Sequence, residues 1–330
     1  MMDMLTAALI FGGALMVGSF LNVCIYRLPR TGRVTARELQ GIVDDSEKLW
    51  EELRRKGYLD EEAMITEKFF GLANGAALDL PQLLPETRGR IFDCFRAAAE
   101  FTVNKPRRSF CPHCGKMIAW FDNIPVFSYL FLRGRCRGCR QAISARYLIV
   151  ELTTAIVAAV LYARLGFTAQ FFVYSLLACG LIVATFIDFE FQIIPDEISL
   201  GGIVVGAVLS ALLPQLHGVS GWIAGVRESG WGIVAGGGSI YLIGELGKFL
   251  FRKEAMGGGD VKFLAMVGSF LGWQLALLVF FLAPFFGAVV GIIARLRHGA
   301  EVIPYGPYLS LAAFLAMLYG RTIIDAVFWM

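Results

Sequence analysis

Two aspartates stand out because each is joined to a long apolar run, where an ionised side chain is costly and is usually kept for a function. Asp188 closes the run that begins at Leu181 and opens a polar stretch reaching Asp196, while Asp260 follows Gly257, Gly258 and Gly259 and precedes Val261-Lys262-Phe263. Two carboxylates that share one water cannot both ionise easily, so one keeps a proton while the other serves as a base. Such a pair can hydrolyse an amide without a metal or a nucleophilic serine. The three glycines offer backbone without Cβ, free to take positive φ and to let an extended peptide come close. A plainer role is open to each acid outside the run: Asp260 as a helix N-cap after a loop, and Asp196 likewise after Pro195.

The second group with chemistry in it is Cys111-Pro112-His113-Cys114 and Cys136-Arg137-Gly138-Cys139. Two CxxC pairs at this separation can form knuckles that converge on one tetrahedral zinc ion, with Gly115 and Gly138 easing the turns. Two disulfides would need an oxidising compartment. An iron-sulfur centre usually has more clustered thiolates, and His113 could replace one sulfur. Four protein ligands leave no open position, so the zinc is expected to be structural. Cys24, Cys94 and Cys179 read as small buried apolar residues.

The elements that must position these residues are set by composition. Of the 330 residues, 57% are hydrophobic and 17% charged, a balance that departs from a soluble domain. Apolar runs near the roughly 20 residues needed to cross a bilayer are expected at 5–26, 147–165, 169–187, 197–214, 231–250, 261–272, 275–295 and 307–327. The fold class is therefore an all-α polytopic membrane protein with about eight transmembrane helices, of which 261–272 is short enough to be a half-span. Residues 1–26 form the first helix, 27–104 a helical cytoplasmic insert, 105–146 a cytoplasmic zinc-binding loop, and 147–330 the membrane core. The first five residues carry no basic stretch or small-residue cleavage site, and Ala14 and Gly18 have the spacing of a packing interface in lipid, so a retained helix is expected.

Segment 27–146 holds 21 of the 30 Lys and Arg residues. The loops around Lys248–Lys253 and Arg295–Arg297 lie an even number of crossings away, so all three are expected in the cytoplasm. Asp188 then ends an inward-running helix and Asp260 begins an outward-running one, which allows both the same depth. Within the insert, Thr35 to Glu38 makes a capping box and apolar spacing predicts a helix to Lys56, with others at 60–72 and 87–101. The plain reading of the insert is a packing or partner-binding element.

Gly18 to Pro29, the two CxxC pairs flanking Trp120 to Val126, Ile143 to Thr154, Ile187 to Ser199 and Gly257 to Gly268 resemble the type IV prepilin leader peptidases, also known as prepilin peptidases of type II secretion. The likeness spans the chain except about 31–104. It implies an aspartic peptidase of the GXGD type with Asp188 and Asp260 as its catalytic pair, acting on prepilin and pseudopilin precursors at the lipid bilayer. It also implies methylation of the new amino terminus with S-adenosylmethionine, with Asn22, Arg27, Asn123 and Glu151 as polar positions for that step and Gly257, Gly258, Gly259 and Lys262 near the substrate. No nucleic acid is expected as a partner, and the 31–104 insert is a possible contact with pilus or secretion machinery. The alternative is a metal-regulated membrane transporter, for which internal repeats would be expected; none is evident.

Overall fold

The computed structural model describes residues 4–30, 109, 118–252, 257–298 and 304–328. Among these the α-helices are α1 (Met4–Arg27), α2 (Phe127–Phe131), α3 (Ala145–Leu165), α4 (Ala169–Phe191), α5 (Asp196–Leu212), α6 (Trp222–Phe251), α7 (Gly258–Leu271), α8 (Trp273–His298) and α9 (Gly306–Phe328). The described residues contain no strand, only an isolated bridge between Arg135 and Ala142. The helices expected at 35–56, 60–72 and 87–101 lie outside the described residues, as do Cys111 and Cys114. The chain divides into two units, Met1–Leu21 with Val150–Met330, and Asn22–Ile149.

Among the described residues six helices are long and apolar enough to cross a membrane: α1, α3, α4, α6, α8 and α9. This is two fewer than the eight expected. The other two candidates are α5, with 17 residues, and α7, with 14. At 1.5 Å per residue α7 is about 21 Å long, short of a hydrocarbon core of about 30 Å. A second correction concerns α6, which starts at Trp222 and not near 231. Its opening residues, WIAGVRES, dilute the hydropathy with Arg227 and Glu228, but backbone hydrogen bonding continues through them regardless of polarity.

In the larger unit α7 is the centre, packed against α4, α5, α6, α8 and α9. Every residue from Phe263 to Leu271 is buried, as is expected of a helix surrounded on all sides. Close approach comes from missing side chains. A Cβ on Gly232 of α6 would collide with the Gly268 carbonyl of α7, and one on Gly268 with the Gly232 carbonyl. Gly18 meets the expectation of a packing helix: a Cβ there would lie 2.7 Å from Glu151 Cα and 3.2 Å from Thr154 Cβ, beside a small cluster of Ala14, Ala155 and Ala158.

The smaller unit contributes a 3-10 turn at Trp120–Asn123, then α2, then a tight turn. Asp122 accepts two hydrogen bonds from Arg137, at 2.7 and 2.6 Å. Gly134 donates to the Tyr129 carbonyl and Ile143 to that of Gly134. The turn between them carries Cys136 and Cys139.

Candidate active site

Asp188 sits on the last turns of α4, which ends where Gln192 adopts φ 53° and donates its backbone N–H to the Asp188 carbonyl. Asp188 is only 6% exposed. Its Oδ2 accepts a hydrogen bond of 2.9 Å from the backbone N–H of Gly306, the first residue of α9. A Cβ on Gly306 would lie 2.8 Å from that oxygen, so the contact requires glycine.

Asp260 lies in the first turn of α7, whose N-cap is Gly257. The Gly257 amide hydrogen-bonds its carboxylate, the reach-back of an acid at the third helical position to the cap. The plain expectation of Asp260 as N-cap is thus corrected by three residues. The glycine expectation is corrected as well: Gly257 has φ −75°, and none of Gly257, Gly258 and Gly259 has positive φ. They provide room instead. A Cβ on Gly258 would meet nothing within 4 Å, and one on Gly259 would meet Ile194 Cβ at 3.5 Å.

The two aspartates converge. Ile194, on the turn between α4 and α5, lies beside Gly259 and also beside Gly306, where a Cβ would be 3.4 Å from its Cδ1. The Asp188 charge acts on Asp260, and the Asp260 charge in turn on Tyr305. The end of α4 and the starts of α7 and α9 therefore come together around Asp188, Ile194 and Gly306. Lys262 is tied to Asp196 at the start of α5, its Nζ donating at 2.7 and 3.0 Å. Tyr305 and Gly306 are the members of this group that acid and cysteine spacing does not reveal; the signal that could have found them is Pro304-Tyr305-Gly306-Pro307, a turn placed at the start of an apolar run.

The polar positions named for methyl transfer differ in exposure. Asn22 is 2% exposed and Arg27 4%; Asn22 donates to the Tyr147 carbonyl at 3.0 Å. Asn123 is exposed, at the end of the 3-10 turn. Glu151, on α3 in the other unit, is buried.

The described half of the cysteine site fits a thiolate-bound metal. Cys136 and Cys139 are half-buried, and Gly138 donates its N–H to Cys136 Sγ at 3.4 Å. Arg140 closes the turn onto the Cys136 carbonyl and takes φ 62°. Backbone N–H groups turned toward a sulfur satisfy a thiolate and keep it oriented. Among the described residues no cluster of three metal-ligating side chains occurs.

Comparison with known proteins places the whole chain. Residues 11–165 match the family model described as the bacterial peptidase A24 N-terminal domain, and residues 175–292 that of the type IV leader peptidase family. The chain is 33% identical over 319 residues to a protein of Aeromonas hydrophila named prepilin leader peptidase/N-methyltransferase, a match covering 96% of this chain and 91% of that protein. A protein of the same name from Pseudomonas aeruginosa is 33% identical over 316 residues, covering 94% and 89%. A third, from Dichelobacter nodosus, is 33% identical over 318 residues, covering 94% and 90%. No solved structure matches.

Proposed function

The chain belongs to the type IV leader peptidase family, and from that premise we propose that it cleaves the leader from prepilin or pseudopilin precursors and N-methylates the amino terminus so exposed. The observation that carries the peptidase reading is the meeting of Asp188 and Asp260 at the joined ends of α4, α7 and α9. In this reading one carboxylate takes a proton from water as the oxygen adds to the scissile carbonyl carbon, and the other carboxyl gives its proton to the carbonyl oxygen. Collapse of the tetrahedral carbon breaks the C–N bond. The amine leaves with a proton as the new amino terminus, and the leader keeps the carboxylate.

Gly258 leaves open space beside Asp260, which suits an extended precursor backbone approaching the pair. Lys262 acts in this reading by joining α5 to α7 near the substrate. The site faces the cytoplasm of a bacterial inner-membrane protein, on the strength of the Lys and Arg placement. S-adenosylmethionine supplies the methyl group, and Asn22, Arg27, Asn123 and Glu151 are candidates for that transfer, each testable singly. Cys111, Cys114, Cys136 and Cys139 would hold a structural zinc ion that keeps their loop folded; metal analysis of the purified protein and of a Cys136→Ser variant decides this. The 31–104 insert is a candidate contact for secretion or pilus machinery.

The test uses purified enzyme, a pilin-like precursor and a labelled methyl donor, read by product mass. Wild type should yield a product shortened by the leader and carrying one methyl group. Asp188→Asn and Asp260→Asn should each cut cleavage by at least about 10²- to 10⁴-fold, the range for loss of a positioned acid or base, while the protein stays membrane-inserted. Normal processing by either variant would refute the pair. The transporter alternative has nothing in the family relationship to support it.

A further inference from the structure

Tyr305 is the residue before the Gly306 amide that binds Asp188. Its backbone is pinned: the Tyr305 carbonyl accepts from the amides of Tyr308 at 3.1 Å and Leu309 at 3.2 Å, which start α9. Gly306 cannot carry a side chain without pressing on Asp188 Oδ2, so the strap lies close against the acid. The Tyr305 hydroxyl is buried and has no hydrogen-bond partner among the described residues.

Buried hydroxyls in folded proteins are almost always paired, and an unpaired one calls for an explanation. Tyr308, three residues on, has no such orphaned oxygen. The surroundings say which kind of group is missing. Burial, with the Asp260 charge nearby, pushes the Tyr305 hydroxyl up to about 12, so it is a neutral donor throughout the working range. A donor near the Asp260 charge, held ready and unpaired, matches a carbonyl oxygen on which charge develops before the proton of the acid carboxyl reaches it.

We propose that Tyr305 is a third catalytic group of the peptidase, its hydroxyl donating a hydrogen bond to the scissile carbonyl oxygen of the bound precursor as that oxygen gains charge. The inference rests on the reading of Asp188 and Asp260 as the hydrolytic pair. The substrate's carbonyl oxygen then supplies the partner that the described residues do not. The strap has two separate tasks: the amide of Gly306 positions Asp188, and the phenol of Tyr305 meets the substrate.

The experiment measures cleavage by Tyr305→Phe, which removes one oxygen and keeps the ring. The expected result is a fall in kcat of about 10²-fold, the lower end of the range for losing one donor aimed at an oxyanion, with KM unchanged. Methylation of an already processed pilin reports that the variant is folded. Fluorinated tyrosines at 305 give a second measurement: kcat should follow the acidity of the phenol, which a merely structural ring would not produce. Wild-type kcat in Tyr305→Phe, a change in KM alone, or indifference to fluorination would overturn the proposal. Asp188→Asn and Asp260→Asn are assayed alongside. If they cleave normally the hydrolytic pair itself fails, and if they are inactive while Tyr305→Phe is not, only the tyrosine's role falls.

Discussion

At its first turn α7 carries Gly258, where an added Cβ would meet nothing, and near its last turn Gly268, where one would collide with the Gly232 carbonyl. The same residue type serves opposite purposes at the two ends of one short helix. At the far end, glycine lets α6 and α7 touch backbone to backbone, and Gly272 ends the helix at φ 81°. Ser210 donates to the Ser269 carbonyl there at 3.0 Å. At the near end Gly258 is exposed, and a Cβ added there would meet no described residue within 4 Å, two residues before Asp260. A central helix that is too short to span is held backbone to backbone at one end and exposes a glycine at the other.

The strongest way to break this comparison is to put the same side chain at both ends. Gly268→Leu should cost at least about 1–3 kcal/mol, the usual penalty of overpacking, and more where backbone must move, so that little folded protein survives and both activities are lost together. Gly258→Leu should leave stability within about 0.5 kcal/mol of wild type, as for surface changes away from special features, and should raise KM for the precursor by filling its approach. Thermal unfolding of the purified protein, set beside cleavage kinetics, checks both. A stable Gly268→Leu, or a Gly258→Leu that unfolds, would reverse the assignment of the two ends.

A smaller effect is expected from the ion pair that ties α5 to the near end. Lys262 and Asp196 have side chains 41% and 57% exposed, and a pair so solvated contributes only about 0–1 kcal/mol. Lys262→Met should therefore barely move the unfolding temperature, yet lower cleavage modestly by freeing the start of α5 beside Ile194. Asp196→Asn should do the same and the double variant no worse, because both remove one contact. Additive losses in the double variant would mean that Lys262 meets the substrate independently of Asp196.

Legibility follows the same division. Asp188 and Asp260 could be picked out because acids joined to apolar runs are expensive, and that cost is written in composition alone. The long apolar helices were visible for the same reason. Three things were hidden. The early start of α6 was masked because Arg227 and Glu228 lower hydropathy without weakening backbone hydrogen bonds. The glycines before Asp260 do not use their freedom to take positive φ, because residue type gives only permission, whereas Gly257 caps α7 in extended backbone and Gly258 and Gly259 already lie in its first turn. Tyr305 and Gly306 lie more than a hundred residues from Asp188 in the chain, and nothing local in a Pro-Tyr-Gly-Pro turn says which acid it will touch.

The smallest expected effect is at the far end, in His217. Ser210 spends its only proton on the Ser269 carbonyl, so in its 2.8 Å contact with Ser210 Oγ, His217 Nε2 must be the donor. That leaves Nδ1 unprotonated, buried and without a partner among the described residues. Burial lowers the His217 pKa below its ordinary 6.5; Glu228 opposes this and Arg321 adds to it. The sign then follows. Below about pH 6.5 the unfolded chain takes up a proton at this position that the folded chain refuses, so the contribution of a neutral His217 is full above that pH and declines as pH falls toward the lowered value. Wild type should lose more in unfolding temperature between pH 7.5 and 5.5 than His217→Gln, which cannot titrate, while cleavage at neutral pH stays close to wild type. Equal losses in the two proteins would mean that the far end does not sense protons, and that its hold on α7 rests on the Gly232–Gly268 contact alone.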